Sequence, residues 1–121
     1  YAPGSVMPGY AAAKAAMVNM TVSLAQELAQ SGITANTLSP GPVHTPTMEL
    51  MMRGLAAQHG WGNDWDEIER RVASQAIPTL VGRVGRVEEI AAAVAFLAST
   101  HADYMTGSHL RMDGGNIKSI V

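Results

Sequence analysis

The sequence predicts an α/β fold built on parallel strands, and three observations support this prediction. First, the stretch 10–31 is rich in Ala, Met and Leu and contains no Pro, which is typical of a helix. Second, short β-branched or alternating segments at 33–38 and 108–113 each end in turn residues. Third, helical patterns separate these two strands, an order that favours a parallel sheet with crossover helices. Residues 1–9, which hold two Pro and two Gly, are predicted to form a loop.

Three further helices are predicted between the two strands. The range 45–59 is compatible with a helix throughout. A second helix is predicted over 64–76, because Asp64 and Glu67 have the spacing of a capping box. A third is predicted over 87–98, where apolar side chains recur every three or four residues. Two strands alone make too small a parallel sheet, so we expect further strands to precede this segment.

Composition and charge exclude several classes of protein. The 121 residues are 47% hydrophobic and 15% charged, which is typical of a globular chain. The formal net charge is −2 and the charges are scattered, which argues against nucleic acid or an anionic membrane surface as a partner. The chain has no Cys, so disulfides, thiolate metal sites and Cys nucleophiles are excluded. This composition is compatible with a cytoplasmic protein, and no apolar run approaches the roughly 20 residues that span a bilayer.

Two groups of polar residues are expected to have ordinary structural roles. The four His residues, at 44, 59, 101 and 109, have no shared ligand spacing, and no metal site is expected. The pair Arg70–Arg71 beside Glu67 and Glu69 is interpreted as a solvated helix face.

The first candidate for chemistry is the pair Tyr10 and Lys14. A spacing of four stacks the two side chains on one helix face, and an ammonium beside a phenol favours the phenolate form. Four further residues follow Lys14 at spacings of three and four, and are expected to share its face: Val18, Thr21, Ala25 and Leu28. Taken alone, the pair is better explained as an ordinary surface pair on an Ala-rich helix.

The second candidate is the segment 36–46, Asn-Thr-Leu-Ser-Pro-Gly-Pro-Val-His-Thr-Pro. A strand that ends in Pro-Gly and turns into a helix presents backbone groups at the carboxyl edge of a parallel sheet. Ligands bind at that edge in open α/β sheets. For Pro-Gly alone, a plain strand-to-helix turn is the better interpretation.

Together the two candidates resemble the short-chain dehydrogenase/reductase family. Further motifs agree in order: Gly85-Arg86 followed by Glu88-Glu89-Ile90-Ala91, then Tyr104-Met105-Thr106-Gly107, and finally Asp113-Gly114-Gly115. The resemblance covers nearly the whole chain. It implies the C-terminal half of a Rossmann-type doubly wound parallel sheet, with 1–121 forming part of a single domain.

The resemblance also implies a role for each matching residue. Tyr10 would be the catalytic acid–base and would also contact the cofactor, and Lys14 would bind the nicotinamide ribose and support ionisation of the phenol. Pro40, Gly41 and Val43 would line the nicotinamide site, with the Val43 main chain holding the carboxamide. Thr45 would contact the carboxamide or a cofactor phosphate. The cofactor would be NAD or NADP, and the residues that distinguish the two are missing from this sequence.

The segment 45–79 corresponds to a substrate lid in the family. It contains five large soft or aromatic side chains suited to an apolar pocket wall, namely Met48, Met51, Met52, Trp61 and Trp65. Packing of these side chains onto the core or onto a neighbouring subunit is an equally good interpretation.

The family's other working parts are absent. No glycine-rich phosphate loop is present, and the family's catalytic Ser and Asn belong upstream of Tyr10; Ser5 is too close to Tyr10 to take the first role. We therefore expect the N-terminal dinucleotide-binding half to be missing. The parent protein is expected to be an oxidoreductase acting on a small alcohol or ketone, as a homo-oligomer (a dimer or a tetramer). The alternative is a catalytically incomplete fragment that acts only in oligomerisation or has no activity.

Overall fold

A computed structural model describes residues 7–117, and their secondary structure has the predicted α/β character. In chain order the elements are α1 (Pro8–Glu27), β1 (Thr37–Pro40), α2 (Pro46–His59), α3 (Trp65–Arg71), a π-helical turn (Val72–Ala76), α4 (Val87–Leu97), a 3-10 turn (Thr100–Ala102) and β2 (His109–Met112). Strands β1 and β2 are hydrogen-bonded neighbours. The Thr37 N–H donates to the Ser108 carbonyl at 2.9 Å, and the Gly41 N–H donates to the Met112 carbonyl at 2.9 Å. From the first bond to the second, the residue number rises by four in both strands, so the strands are parallel.

The described chain divides into two compact units. The first contains the residues up to Ser39, Ala92–Arg111 and the residues from Ile117 on; the second contains Pro40–Ala91 and Met112–Asn116. Thus α1 and most of both strands belong to the first unit, and α2, α3 and the π-helical turn belong to the second.

In the first unit, the face of α1 that was predicted from the spacing is the more buried face of the helix. Lys14, Val18, Thr21, Ala25 and Leu28 are all half-buried, whereas the residues between them are exposed. The Thr37 hydroxyl donates to the Thr21 hydroxyl at 2.8 Å, which ties this face of α1 to the start of β1. The shared helix face predicted from the spacing is therefore confirmed.

The second unit holds the main hydrophobic core. Five buried side chains form one cluster, namely Met52, Ala56, Ile68, Val72 and Val84. Two come from α2, one from α3, one from the π-helical turn and one from the loop before α4. This packing holds α2 and α3 together through apolar surface removed from water.

Helix boundaries differ from the predictions at both ends of α1. The helix starts at Pro8, inside the predicted loop, because the fixed φ of proline suits the first helical position. It ends at Glu27 and not near Ser31, since Gln30 adopts a positive φ of 62° and the Ser31 hydroxyl donates to the Leu28 carbonyl at 2.7 Å. The rest of the predicted loop lies outside the described residues.

The first strand is shorter than predicted and displaced towards its C-terminus. It covers Thr37–Pro40, not 33–38. The Asn36 side chain donates to the Met105 carbonyl at 2.8 Å and accepts from the Ser108 N–H at 3.1 Å. The Ala35 N–H donates to the Thr106 hydroxyl at 3.2 Å. The Gly107 N–H still donates to the Ala35 carbonyl at 2.7 Å, but side chains make the other hydrogen bonds of this segment, and regular pairing starts only at Thr37.

The other predicted elements are confirmed with small changes. Asp64 caps α3 by accepting from the Glu67 N–H at 2.9 Å, and helical structure continues to Ala76 as a π-helical turn. The last helix and the last strand lie at the predicted positions.

Candidate functional site

Tyr10 and Lys14 lie together in the first half of α1. The Lys14 ammonium lies 5.7 Å from the centroid of the Tyr10 ring, within the range of a cation–π contact. Lys14 also approaches the Met17 sulfur at 3.8 Å. Tyr10 is 55% exposed. The spacing argument is therefore correct about their proximity.

The turn that follows β1 is held by a close approach between two backbones of the second unit. An added Cβ on Gly41 would lie 2.6 Å from the Asp113 Cα and 2.9 Å from its Cβ. No side chain fits there, which explains why glycine follows Pro40. The Gly41 N–H donation to Met112 completes this attachment.

Val43 is paired with Gly85 in a parallel β-bridge, and the N–H and carbonyl of Val43 itself take no part in the hydrogen bonds of that bridge. The Gly85 N–H donates to the Pro42 carbonyl at 2.9 Å, and the His44 N–H donates to the Gly85 carbonyl at 2.8 Å. Peptide groups alternate in direction along an extended strand, so the N–H and carbonyl of Val43 point away from Gly85. One donor and one acceptor are thus displayed side by side.

Thr45 caps α2. Its hydroxyl oxygen accepts from the Met48 N–H at 3.2 Å, and Pro46 occupies the start of the helix. A hydroxyl that accepts one bond still has its own proton to donate. Thr45 can therefore cap the helix and contact a ligand at the same time.

His44, Glu49, Arg53 and Trp65 form a cluster beside this turn that the sequence did not indicate. The His44 ring stacks on Trp65 at a centroid distance of 4.5 Å, and its Nε2 lies 3.0 Å from a Glu49 oxygen. Arg53 pairs with Glu49 at 2.8 Å and lies over the Trp65 ring at 5.3 Å. The hydrogen bonds from His44 and Arg53 lower the pKa of Glu49. The cluster fixes His44, and with it the residues on either side.

The large side chains of the segment 45–79 divide into two groups. Met52 is fully buried, and Met48, Trp61 and Trp65 pack against the core cluster, which agrees with the packing interpretation. Met51 is 50% exposed. Of the five, Met51 alone is exposed.

A second charged network surrounds the loop at 83–86. Arg83 donates to both oxygens of Glu89, at 2.6 and 2.8 Å, and the Arg86 N–H donates to Glu89 at 2.7 Å. These bonds lower the pKa of Glu89 to about 2. Glu69 accepts from Arg86 and is 8% exposed, so its assignment to a solvated helix face was wrong. Arg70 and Arg71 do pair with Glu67 on the exposed side of the helix.

A small cavity of about 180 Å³ lies within the second unit. Its lining includes Pro42, Gly85, Ile90 and the Arg83–Glu89 pair. Ligand pockets usually measure about 300–1,000 Å³. The cavity is therefore too small to hold a dinucleotide by itself.

The residues with an expected role thus fall into two groups, each described within its own unit. Tyr10 and Lys14 are brought together in the first unit, and Pro40, Gly41, Val43 and Thr45 follow one another in the second. Within residues 7–117 no group of three or more acidic or His side chains could hold a metal ion. None of the helices in that range is long and apolar enough to cross a membrane.

Comparison with known proteins identifies relatives of the whole segment. The sequence model of the family described as Enoyl-(Acyl carrier protein) reductase matches residues 3–116. The 3-oxoacyl-(acyl-carrier-protein) reductase FabG of Vibrio cholerae is 42% identical over 107 residues, which cover 88% of this chain and 37% of that protein. The chain thus spans less than two fifths of the length of this relative.

Solved structures of related proteins share the fold of this chain. An NADPH-bound short-chain oxidoreductase from Pseudomonas aeruginosa PAO1, described as containing an atypical catalytic center, superposes with a TM-score of 0.78 at 31% identity. The match covers 98% of this chain and 42% of that one. L-sorbose reductase from Gluconobacter frateurii, complexed with NADPH and L-sorbose, gives a TM-score of 0.74 at 32% identity, covering 88% and 39%. The α/β arrangement is therefore part of a Rossmann-type fold, and the chain belongs to the short-chain dehydrogenase/reductase family.

Proposed function

We propose that this chain is the C-terminal half of an NAD(P)-dependent oxidoreductase that transfers a hydride between a nicotinamide cofactor and an alcohol or ketone carbon. The observation that carries the proposal is the Lys14 ammonium at 5.7 Å from the exposed Tyr10 ring, in a chain of this family. The nicotinamide, when bound, supplies or accepts the hydride. The chain's own residues handle the proton and hold the cofactor.

Tyr10 is the proposed acid–base. In the reductive direction its hydroxyl donates a proton to the substrate oxygen, and in the oxidative direction the phenolate takes that proton back. In the proposal, the Lys14 ammonium, which lies beside the Tyr10 ring, assists this proton transfer. Lys14 is also the proposed hydrogen-bond donor to the nicotinamide ribose.

The turn after β1 is the proposed holder of the nicotinamide. A primary carboxamide both donates and accepts hydrogen bonds, which suits the N–H and carbonyl that Val43 directs away from Gly85. Pro40 and Gly41 form the wall of this site in the proposal. The free proton of the Thr45 hydroxyl is assigned to the carboxamide or to a cofactor phosphate, since the N-terminus of α2 also favours an anion.

The relatives support the class of cofactor and substrate. Both solved relatives named above are described with NADPH; the name of one of them refers to L-sorbose, and the name of the curated relative refers to a 3-oxoacyl group. Two of the three are thus named as reductases, each of a carbonyl-bearing substrate. We propose a small alcohol or ketone as substrate, with either NAD or NADP as the cofactor.

Further strands are proposed to complete the sheet. Parallel strands are normally covered on both faces, yet β1 and β2 contain no fully buried residue. In the proposal, an N-terminal half supplies those strands and the phosphate-binding loop. The segment 45–79 is the proposed substrate lid, in which Met51 is free to contact the substrate.

A second candidate function applies to the 121 residues on their own, as a catalytically incomplete segment that only associates with other chains. The 20-residue helix α1 contains no buried residue, and it exposes Met17, Met20 and Leu24. Apolar surface of this kind favours association. For the full-length enzyme of the first proposal, we propose a homodimer or a homotetramer located in the cytoplasm.

Titration with NADH and with NADPH tests the proposed function. The full-length protein that carries this sequence is expected to bind at least one of them saturably, with one site per chain. Failure to bind either cofactor would contradict the proposal. The same titration on the isolated 121 residues separates the two candidates, because tight stoichiometric binding there would exclude the incomplete-segment alternative.

A further inference from the structure

Glu69 is a buried carboxylate in the second unit that the proposed chemistry does not use. It lies on α3 and is only 8% exposed. A buried charge is costly unless it is paired and hydrogen-bonded. Its partners therefore indicate what the residue does for the fold.

Among the described residues, the hydrogen-bond partners of Glu69 belong to the loop before α4. Arg86 donates from Nη1 to one carboxylate oxygen and from Nη2 to the other, the second at 2.9 Å. The Val84 N–H donates to the same carboxylate at 3.3 Å. The Arg86 guanidinium lowers the pKa of Glu69, so the carboxylate is charged at neutral pH. Glu69 thus attaches α3 to residues 84 and 86.

The residue between these two attachment points holds the turn after β1. Gly85 uses its N–H on the Pro42 carbonyl and its carbonyl on the His44 N–H. Glu89 fixes the same loop from the other end, through Arg83 and the Arg86 N–H. The carboxylates of Glu69 and Glu89 therefore hold the loop in place. Two backbone hydrogen bonds of Gly85 connect the loop to residues 42–44.

We propose that Glu69 is a positioning residue for the turn at 42–44, acting through Arg86, Val84 and Gly85 to fix the direction of the Val43 peptide groups. The role of Glu69 in cofactor binding rests on the proposed function. The contacts that lead from Glu69 to His44 are independent of the proposed function. Its hydrogen bonds go to the loop and not to the turn, so the loop carries its effect on the Val43 peptide groups; His44 also interacts with it electrostatically.

The matched substitutions are Glu69→Gln and Glu67→Gln. Both residues lie on α3, but Glu67 makes its ion pairs with Arg70, which is exposed, and Arg71, which is half-buried. In the full-length protein without cofactor, Glu69→Gln is expected to speed hydrogen exchange at the amides of Val84, Gly85 and His44. The expected factor is about tenfold or more, which corresponds to the loss of one charge-assisted hydrogen bond. Hydrogen exchange in the middle of α2 should change little. The Glu67→Gln substitution should not change the exchange rate of any of these amides.

Cofactor affinity gives the second readout. Glu69→Gln should weaken binding of the preferred nicotinamide cofactor by about tenfold, because a turn that samples several positions holds the carboxamide for less of the time. Arg86→Lys keeps the charge but loses the two-pronged contact, and should show smaller effects in the same direction. If the Glu69→Gln protein does not fold, the Arg86→Lys protein is used to test whether the contact between Glu69 and Arg86 positions the turn.

Two results would overturn the proposal. One is unchanged exchange at the Gly85 and His44 amides. The other is a rise of equal size at these amides and in the middle of α2, which would mean a general loss of stability. If the unmodified protein binds neither NADH nor NADPH, the proposed function fails, and the exchange comparison still decides whether Glu69 positions the turn.

Discussion

Gly41 and Asp113 approach so closely that residue 41 has no room for a side chain: a Cβ there would lie 2.6 Å from the Asp113 Cα. Two backbone segments of the second unit therefore meet at this point without an intervening side chain. The contact fixes where the turn after β1 begins. The position of Val43, two residues later, depends on it.

Gly41→Ala is expected to destabilise the fold by about 1–3 kcal/mol, because the added methyl forces backbone to move and not a flexible side-chain end. Chemical denaturation of the two proteins measures the difference. Gly54→Ala is the control, since no atom lies within 4 Å of its added Cβ and Gly54 is inside α2. That change should stabilise the protein by about 0.5–1 kcal/mol. Equal stability of the Gly41→Ala variant and the parent would show that the close approach is not present.

Thr45→Ala should cost about 1 kcal/mol of stability through loss of the cap on α2. It should also weaken cofactor binding, because the hydroxyl is assigned to the cofactor. Asp64→Ala removes the corresponding cap of α3, where Asp64 accepts from the Glu67 N–H, and should cost a similar amount of stability without changing cofactor affinity. If both variants bind cofactor as the parent does, Thr45 has only a structural role.

Met51 and Met52 are neighbours with different environments, and their substitution separates pocket from core. Met52→Ala should destabilise by about 2–5 kcal/mol, because the fully buried side chain leaves a cavity. Met51→Ala should change stability by less than about 0.5 kcal/mol and should raise KM for the substrate. Thermal unfolding and steady-state kinetics give the two readouts. A Met51→Ala variant with unchanged kinetics would argue against a substrate contact by this side chain.

Glu89 should make stability fall steeply in acid. The bonds from Arg83 and from the Arg86 N–H hold its pKa at about 2 in the folded chain, below the ordinary 4.5. A lowered folded-state pKa stabilises the protein fully above about 4.5, and this contribution is lost as the pH falls towards 2. Glu89→Gln should lower the Tm near neutrality and should flatten the dependence of Tm on pH in this window. A parallel shift of the whole Tm curve would contradict the assignment, since it would mean that Glu89 does not titrate in this window.

Local patterns in the sequence predicted the helices well and their tertiary partners poorly. The face of α1 that begins at Lys14 followed from helical periodicity, because that pattern depends only on spacing. The start of β1 was misplaced, since Asn36 and Thr106 make side-chain bonds across about 70 residues. No spacing rule reports such bonds.

The same limit applies to the candidate site. The Pro-Gly turn was recognisable, but the reason for glycine at 41 is a contact with residue 113, which is distant in sequence. Glu69 lies beside two arginines on its own helix, and its partner is Arg86, on a different element. Met51 and Met52 have the same chemistry, and only the packing of α2 distinguishes them.

The most direct test of the central claim is carbonyl reduction by the full-length protein carrying Tyr10→Phe. The change removes the hydroxyl and keeps the ring beside Lys14, so cofactor binding should be retained. The kcat is expected to fall by about 10²–10⁴-fold, the usual contribution of a positioned acid–base group. Tyr104→Phe, at a fully exposed position, should leave kcat unchanged. Full activity of the Tyr10→Phe enzyme would contradict the role assigned to Tyr10.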